Sequence, residues 1–355
     1  MAEFRKLLLP LWPLWVAMGV VLLALACWAT LPSRRVFPVE LASGHTVYMR
    51  ELSRLPHRTV EVVCPGLSRH KPWPDGYEKP EGDMVIPATV RRFGMEWQVV
   101  KVGNYAFLSV GYLTSVTFSD TLRSIGSKAF AGCIGLSDTL VIPRGLEHIG
   151  TEAFNDCARL TTFLWQARNC HGEGEDTVIK YSYFFRCMAL KEVIVGSGVV
   201  NLPLSFVSEV RGLERMEFRG ATPVAVKNMA AKSSGLKDVA FPPQMRAIEH
   251  GAFYETAVDT VLLPDSLEIV GDYAYCDSLR VLRFGSKVRM VGNYSFTECS
   301  HLREVTVLAA EPPNVQPTAF FQLPETAVLY VPEQSLEAYR QHPVWGRFEM
   351  IESLE

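Results

Sequence analysis

The chain has 355 residues, of which 48% are hydrophobic, and its 35 basic and 38 acidic side chains give a net charge of −3. This composition is ordinary for folded structure and lacks the basic excess of nucleic-acid-binding proteins, so that class of partner is excluded. The sequence contains neither Cys-x-x-Cys nor His-Glu-x-x-His, and neither a Gly-x-Ser-x-Gly elbow nor a phosphate-binding loop. It therefore predicts no catalytic residues, no cofactor and no metal site.

The first feature along the chain is an uncharged apolar run at residues 7–31, with two basic residues on each side. This run exceeds the roughly 20 residues that a transmembrane helix needs to span a bilayer. We expect residues 1–33 to be an N-terminal membrane anchor that contains a transmembrane helix. Two alternatives stay open, a lipoprotein signal that ends before Cys27 and an ordinary cleaved signal peptide.

Residues 34–101 differ in pattern from everything that follows them. Two short stretches, at 43–49 and 59–64, alternate apolar and polar residues, which predicts strands. The stretch 65–83 is dense in proline and glycine and predicts a loop. Because the first coil of a repeat array needs a cover, we expect residues 34–101 to form an N-terminal cap and linker.

From residue 102 onward one hexamer recurs, most clearly as IGSKAF at 125–130 and IGTEAF at 149–154. Ten copies align on the aromatic position of the hexamer: Phe107, Phe130, Phe154, Phe184, Phe206, Met229, Phe253, Tyr275, Phe296 and Phe320. Successive positions differ by 21 to 24 residues, except for one step of 30 (184 − 154). This period is typical of a leucine-rich repeat solenoid, in which the aromatic side chains would stack along the core.

Each hexamer leads into a short strand pattern of the form Leu-x-x-apolar-x-apolar, as in LTSVTF at 113–118. Such alternation predicts a strand with one buried face. The fold class that we expect is an α/β-type repeat solenoid, a leucine-rich repeat array of about ten coils with parallel β-strands on one face. The repeats would occupy residues 102–321, and residues 322–355 would form a C-terminal cap.

The repeat pattern IGxxAFxxCxxL…IP resembles the BspA-like leucine-rich repeat of bacterial cell-surface proteins. Residues 84–107 are similar to the N-terminal entry of that family, and residues 309–351 to its C-terminal cap. The resemblance implies an anchored extracytoplasmic scaffold that binds a protein or a surface glycan, acts in adhesion and performs no catalysis. The alternative is a structural envelope protein or the non-catalytic stalk of an envelope enzyme complex.

Five cysteines occupy related repeat positions: Cys133, Cys157, Cys187, Cys276 and Cys299. The leucine-rich repeat pattern takes Asn or Cys there as a small buried group, and we expect Cys133, Cys157 and Cys187 to stay reduced thiols. The insertion at 166–178 places Cys170 and His171 beside three acidic residues, Glu173, Glu175 and Asp176. Its glycines leave the loop unfixed, so a solvated acidic loop is a simpler interpretation than a metal site.

The strand pattern also predicts where a partner would bind. The residue between the two apolar positions of a strand points away from the core, and in three successive coils it is apolar. The residues two positions earlier form a polar rim, and rimmed apolar patches often mark interaction sites. With the acidic insertion at its edge, the candidate face comprises Val141, Leu164, Ile194, Thr139, Thr162, Glu192, Glu173, Glu175 and Asp176. Its apolar residues are also of a kind that strands favour anywhere.

Overall fold

The computed structural model describes residues 35–172, 182–220, 226–274 and 278–354, together with four helical residues near the N-terminus: Val16, Met18, Val20 and Val21. Across this part of the chain, no helix is both long enough and apolar enough to cross a membrane. Most of the predicted anchor at 7–31 lies outside the described residues. So do Tyr275 and Cys276.

The body of the protein is a solenoid in which each coil contributes one strand to a parallel arrangement that we name the long ladder. Its strands are Gly82–Ile86, Leu113–Phe118, Ser137–Ile142, Arg159–Trp165, Glu192–Val195, Arg215–Phe218, Asp238–Ala240, Thr260–Leu262, Val281–Phe284, Glu304–Val307, Val328–Val331 and Met350–Ser353. Hydrogen bonding divides the ladder into sheets of two, five and five strands. The predicted parallel strands of successive coils are thus confirmed.

A second set of parallel strands, the short ladder, was not predicted. Its two-residue strands are Ser124–Ile125, His148–Ile149, His171–Gly172, Ala247–Ile248, Ile269–Val270, Met290–Val291 and Asn314–Val315. Single bridges join Asn169 to Asn201 and Val226 to Ile248. Each coil that has both strands therefore contributes to two sets of parallel strands. The prediction of strands on one face only was incomplete.

The α/β-type expectation is wrong for the repeats. The described hexamers form tight turns in which Lys128 and Glu152, for example, have φ values of +53° and +54°. An α-helix requires negative φ, so a hexamer with this backbone cannot start one. The fold is therefore a parallel β-solenoid of about ten turns with few helices.

The N-terminal region is built from strands Val36–Glu40, Thr46–Ser53, Thr59–Val63, Thr89–Arg92 and Met95–Val102. The first three pair antiparallel in chain order, and the third pairs in parallel with the fifth. The fifth also pairs with Ser124–Ile125. The short ladder, like the long one, thus extends into the residues predicted as a cap.

The C-terminal end is closed by the helix Leu336–Gln341 between two 3₁₀ turns, Glu333–Ser335 and Trp345–Arg347. The ring centroid of Phe320, the last aromatic of the stack, lies 5.2 Å from that of Trp345 and 5.5 Å from that of Phe348. Both cap side chains are buried. These two aromatic side chains therefore cover the open end of the last coil.

The aromatic side chains of the hexamers stack inside the first coils as predicted. Ring centroids are 5.0 Å apart between Phe107 and Phe130, 5.3 Å between Phe130 and Phe154, and 5.7 Å between Phe154 and Phe184, and each pair is nearly parallel. The next contact, between Phe184 and Phe206, is edge-to-face at 6.4 Å. The regular stack is therefore interrupted after the fourth coil, and it resumes at the C-terminal end, where the ring centroids of Phe296 and Phe320 are 5.2 Å apart.

That change has a local cause, because the alignment of two coils was wrong. The backbone amides of Val207 and Ala231 each donate a hydrogen bond to a backbone carbonyl of the next coil, at 2.7 Å and 2.8 Å. The amide of Phe130 forms the equivalent hydrogen bond at 2.8 Å. Val207 and Ala231 thus occupy the aromatic position that we assigned to Phe206 and Met229. Neither coil has an aromatic residue at this position. Alignment by side-chain type alone therefore assigned the position to a nearby residue.

The cysteines of the first coils are buried free thiols. Cys133, Cys157 and Cys187 each donate a hydrogen bond to the backbone carbonyl of the aromatic in the preceding coil, at 3.2, 3.4 and 3.1 Å. Burial raises the pKa of the Cys133 thiol to about 12, and hydrogen bonding with Cys187, together with burial, raises that of Cys157. Since the thiolate is the reactive form, Cys133 and Cys157 are structural donors rather than nucleophiles.

Candidate binding face

The long ladder brings the predicted surface residues into two straight rows. Thr162 pairs with Thr139 on one side and with Glu192 on the other. Leu164 pairs in the same way with Val141 and Ile194. Because a one-residue shift in register would turn each strand over, this pairing fixes which side chains face outward together.

The three residues of the predicted apolar row differ in their exposure to solvent. Val141 is 39% exposed and Leu164 is partly exposed, but Ile194 is only 7% exposed, so its predicted exposure is wrong. The cause lies in its neighbours, since Ile194 is flanked in register by Leu164 and by the long side chain of Glu217. Val141 lies on the edge strand of its sheet and has a hydrogen-bonded neighbour on one side only. The accessible apolar group is therefore the pair Val141 and Leu164.

The polar rim is present where it was predicted. Thr139 is exposed, and Thr162 and Glu192 are partly exposed. The hydroxyl of Thr161, beside the rim, donates to the carbonyl of Asp138 at 3.0 Å and so ties the two strands together. The rim thus offers hydroxyl and carboxylate groups on a rigid backbone, next to the apolar pair.

Beyond Glu192 the outer face becomes a cluster of ion pairs. The guanidinium of Arg215 lies 3.8 Å from the carboxylate of Glu192, 3.7 Å from that of Glu217 and 3.5 Å from that of Asp238. A hydrogen bond from Arg219 lowers the pKa of the Glu217 carboxyl, and Arg215 adds to this effect. These charges already have partners, so the apolar pair is the part of the face that can still gain contacts.

The outward row extends beyond the candidate face, and one of its members was missed by sequence reasoning. Val85, which is 50% exposed, pairs with Thr117 at the N-terminal end of the same row. It was overlooked because residues 34–101 were predicted to be a cap. A signal was available, since MVIP at 84–87 has the apolar-x-apolar-Pro ending that the repeat strands also use. Leu262, 56% exposed, occupies the same row in the last sheet.

The acidic edge predicted for the candidate face comprises three residues of the insertion. Glu173, Glu175 and Asp176 lie outside the described residues. Just before them, the ring centroids of His148 and His171 are 6.4 Å apart. In the described ranges, no group of three or more His, Cys, Asp or Glu side chains has the arrangement of a metal site.

The stacked coils, the two ladders and the closed C-terminal end define a leucine-rich repeat solenoid. The model of the family described as "BspA type Leucine rich repeat region (6 copies)" matches overlapping segments of the chain at 100–220, 173–281, 213–324 and 273–338. Together the matches run without a gap from residue 100 to residue 338. The chain therefore belongs to the BspA-type leucine-rich repeat family.

Solved structures of similar fold come from bacteria. A leucine-rich repeat protein from Bacteroides ovatus is 17% identical, with 82% of this chain and 78% of that chain covered and a TM-score of 0.46. A leucine rich cell surface protein from Faecalibacterium prausnitzii is 16% identical, with coverage of 90% and 95% and a TM-score of 0.42. The pneumococcal vaccine antigen PcpA is 15% identical, with coverage of 91% and 100% and a TM-score of 0.33. No curated protein matches the chain.

Proposed function

We propose that this protein is a non-catalytic scaffold that binds a protein or glycan partner through the outer face of the long ladder. The observation that carries the proposal is the register-locked pair of Val141 and Leu164 beside the rim of Thr139, Thr162 and Glu192. A partly apolar patch with a polar rim can exclude water at its centre and form hydrogen bonds at its edge. Because the strands hold these groups in place, binding costs little ordering entropy.

The scaffold is proposed to stand outside the cytoplasm on an anchor formed by residues 7–31. Support comes from the uncharged apolar run in the sequence and from what the family resemblance implies for surface display. We expect the full-length chain to remain in the membrane fraction after carbonate extraction. Mature protein that begins after residue 26 and is released by carbonate would contradict the anchor, and lipid attached to Cys27 would establish the lipoprotein alternative.

The binding proposal predicts that a double change, Val141→Ser and Leu164→Ser, weakens partner capture without unfolding the protein. Both side chains point outward, so the hydrophobic core is unchanged. Truncating two central contacts of an interface typically raises the dissociation constant about tenfold or more. The full chain and the variant would be compared for capture of partners from surface extracts and for thermal unfolding.

A matched control is the double change Val85→Ser and Leu262→Ser, which alters two exposed aliphatic residues of the same row away from the patch. This control is expected to capture the same partners as the unchanged chain. Equal capture by all three proteins would place the binding site elsewhere. Unfolding of the patch variant alone would show that Val141 and Leu164 belong to the core.

A further inference from the structure

An open groove of about 560 Å³ lies at the turns that leave three successive long-ladder strands. Its charged lining residues are Asp120, Arg123, Arg144, Glu147 and Arg168. Three guanidinium groups and two carboxylates give this groove a net positive charge within a chain whose net charge is negative. None of these residues belongs to the candidate face, so the groove is a separate surface.

Arg123 forms a fixed part of the floor. Its guanidinium donates to the carbonyls of Asp120 at 2.8 Å and Gly145 at 3.0 Å, and it lies 3.5 Å from the carboxylate of Glu147. A side chain at position 145 would collide with this guanidinium and with the Asp120 carbonyl, so glycine is needed there. Arg123 therefore contributes a positive charge that does not have to be ordered when a ligand binds.

Arg144 and Arg168 differ from Arg123 because their guanidinium groups are free. Both residues are exposed, and neither side chain forms an ion pair or hydrogen bond with any residue that the structure describes. The backbone amide of Arg168 donates to the carbonyl of Arg144 at 3.4 Å, which places the two residues on adjacent coils. Two unpaired cations on a rigid backbone are suited to anionic groups that repeat along a chain-like ligand.

The two carboxylates of the groove restrict the kind of anion. A phosphate backbone carries a dense negative charge, and a groove with three cations and two anions neutralises little of it. An acidic peptide would place its carboxylates against Asp120 and Glu147. An acidic polysaccharide instead has hydroxyl groups between its charges. These hydroxyls can donate to both carboxylates and can bond to the amide of Asn169, which also lines the groove.

We propose that this groove binds an acidic polysaccharide. Its carboxylates would lie on Arg144 and Arg168, and its hydroxyls on Asp120, Glu147 and Asn169. Because the residues differ from those of the candidate face, loss of one site is measurable while the other is intact.

The test is calorimetric titration of the full chain with a size-defined oligogalacturonate and with its methyl ester, which has the same sugar backbone without the charges. The acid is expected to bind more tightly than the ester, and its affinity is expected to fall as salt is added. The double change Arg144→Gln and Arg168→Gln is expected to raise the dissociation constant of the acid about tenfold, since charge-assisted bonds are lost. Neither change removes a hydrogen bond or ion pair to a described residue, so the melting temperature should be unchanged.

The matched control is Arg246→Gln with Arg283→Gln, which changes the net charge equally through two exposed arginines outside the groove. This control should bind the acid as the unchanged chain does. No binding of the oligogalacturonate at millimolar concentration, or equal loss in both double variants, would overturn the proposal. Tighter binding of polyglutamate or oligothymidylate than of the uronate would overturn its choice of ligand class.

Discussion

Replacement of Phe154 by alanine is expected to lower the free energy of unfolding by roughly 3–5 kcal/mol, the usual cost of removing a fully buried aromatic ring. Phe154 is fully buried, and its ring stacks on Phe130 at 5.3 Å and on Phe184 at 5.7 Å. A thiol of the next coil also donates to the Phe154 carbonyl. The cavity would therefore open inside the stack, between the rings of Phe130 and Phe184.

Because solenoid stability is passed between neighbouring coils, the same change is expected to divide chemical denaturation into two transitions. Phe321→Ala is the matched control, since this phenylalanine is 51% exposed on a turn of the same repeat series and should cost little. Denaturation followed by circular dichroism measures both. A Phe154→Ala curve that coincides with that of the unchanged protein would refute the stacked core.

A second large loss, about 3 kcal/mol or more, is expected from Gly150→Ala, because overpacking against backbone atoms cannot be relieved by a rotamer change. An added Cβ would lie 2.5 Å from the carbonyl carbon of Gly126 and 2.6 Å from the Cα of Ser127. Likewise, a Cβ added at Gly126 would lie 2.8 Å from the carbonyl carbon of Gly103. These glycines allow successive coils to approach each other.

Gly111→Ala provides the control for this substitution. Its added Cβ would meet only the side chain of Ile134, at 3.3 Å, and that side chain is exposed and able to move. We expect a change in unfolding free energy below about 1 kcal/mol for Gly111→Ala. Equal losses at both positions, measured by urea denaturation, would show that close backbone approach is not the reason for glycine at position 150.

The repeat hexamer was sufficient to predict most of the fold. The first four coils have an aromatic at the same hexamer position, and in most coils a leucine-led strand follows the hexamer, so the stacking of Phe107, Phe130, Phe154 and Phe184 followed from spacing alone. Alignment failed at Val207 and Ala231, because these residues make the repeat's backbone hydrogen bonds without its aromatic side chain.

Other features depend on backbone geometry, which the residue pattern does not encode. Gly126 and Gly150 recur in the hexamer, but the positive φ values fall on Lys128 and Glu152, and the two glycines allow close approach of the backbone instead. The short ladder consists of two-residue strands, too short for an alternation signal. Burial of Ile194 depends on the length of its neighbour Glu217, which is contributed by the following coil.

The groove arginines illustrate the same limit for a candidate site. Arg123, Arg144 and Arg168 do not share one repeat position, so no periodic pattern connects them. They come together because one coil lies on the next, and the freedom of Arg144 and Arg168 becomes visible only when their surroundings are known. In contrast, the apolar pair of the candidate face repeats at one strand position, and the register could be predicted.

The most direct test of binding through the long ladder is photo-cross-linking on the cells that produce the protein. Benzoylphenylalanine would replace Val141 in one full-length variant and Leu262 in another. Leu262 is the more exposed of the two, at 56% against 39%, so chance encounters would favour the control. We predict a discrete cross-linked partner from position 141 and none from position 262. A partner captured equally at both positions, or only at 262, would contradict the assignment of the binding face.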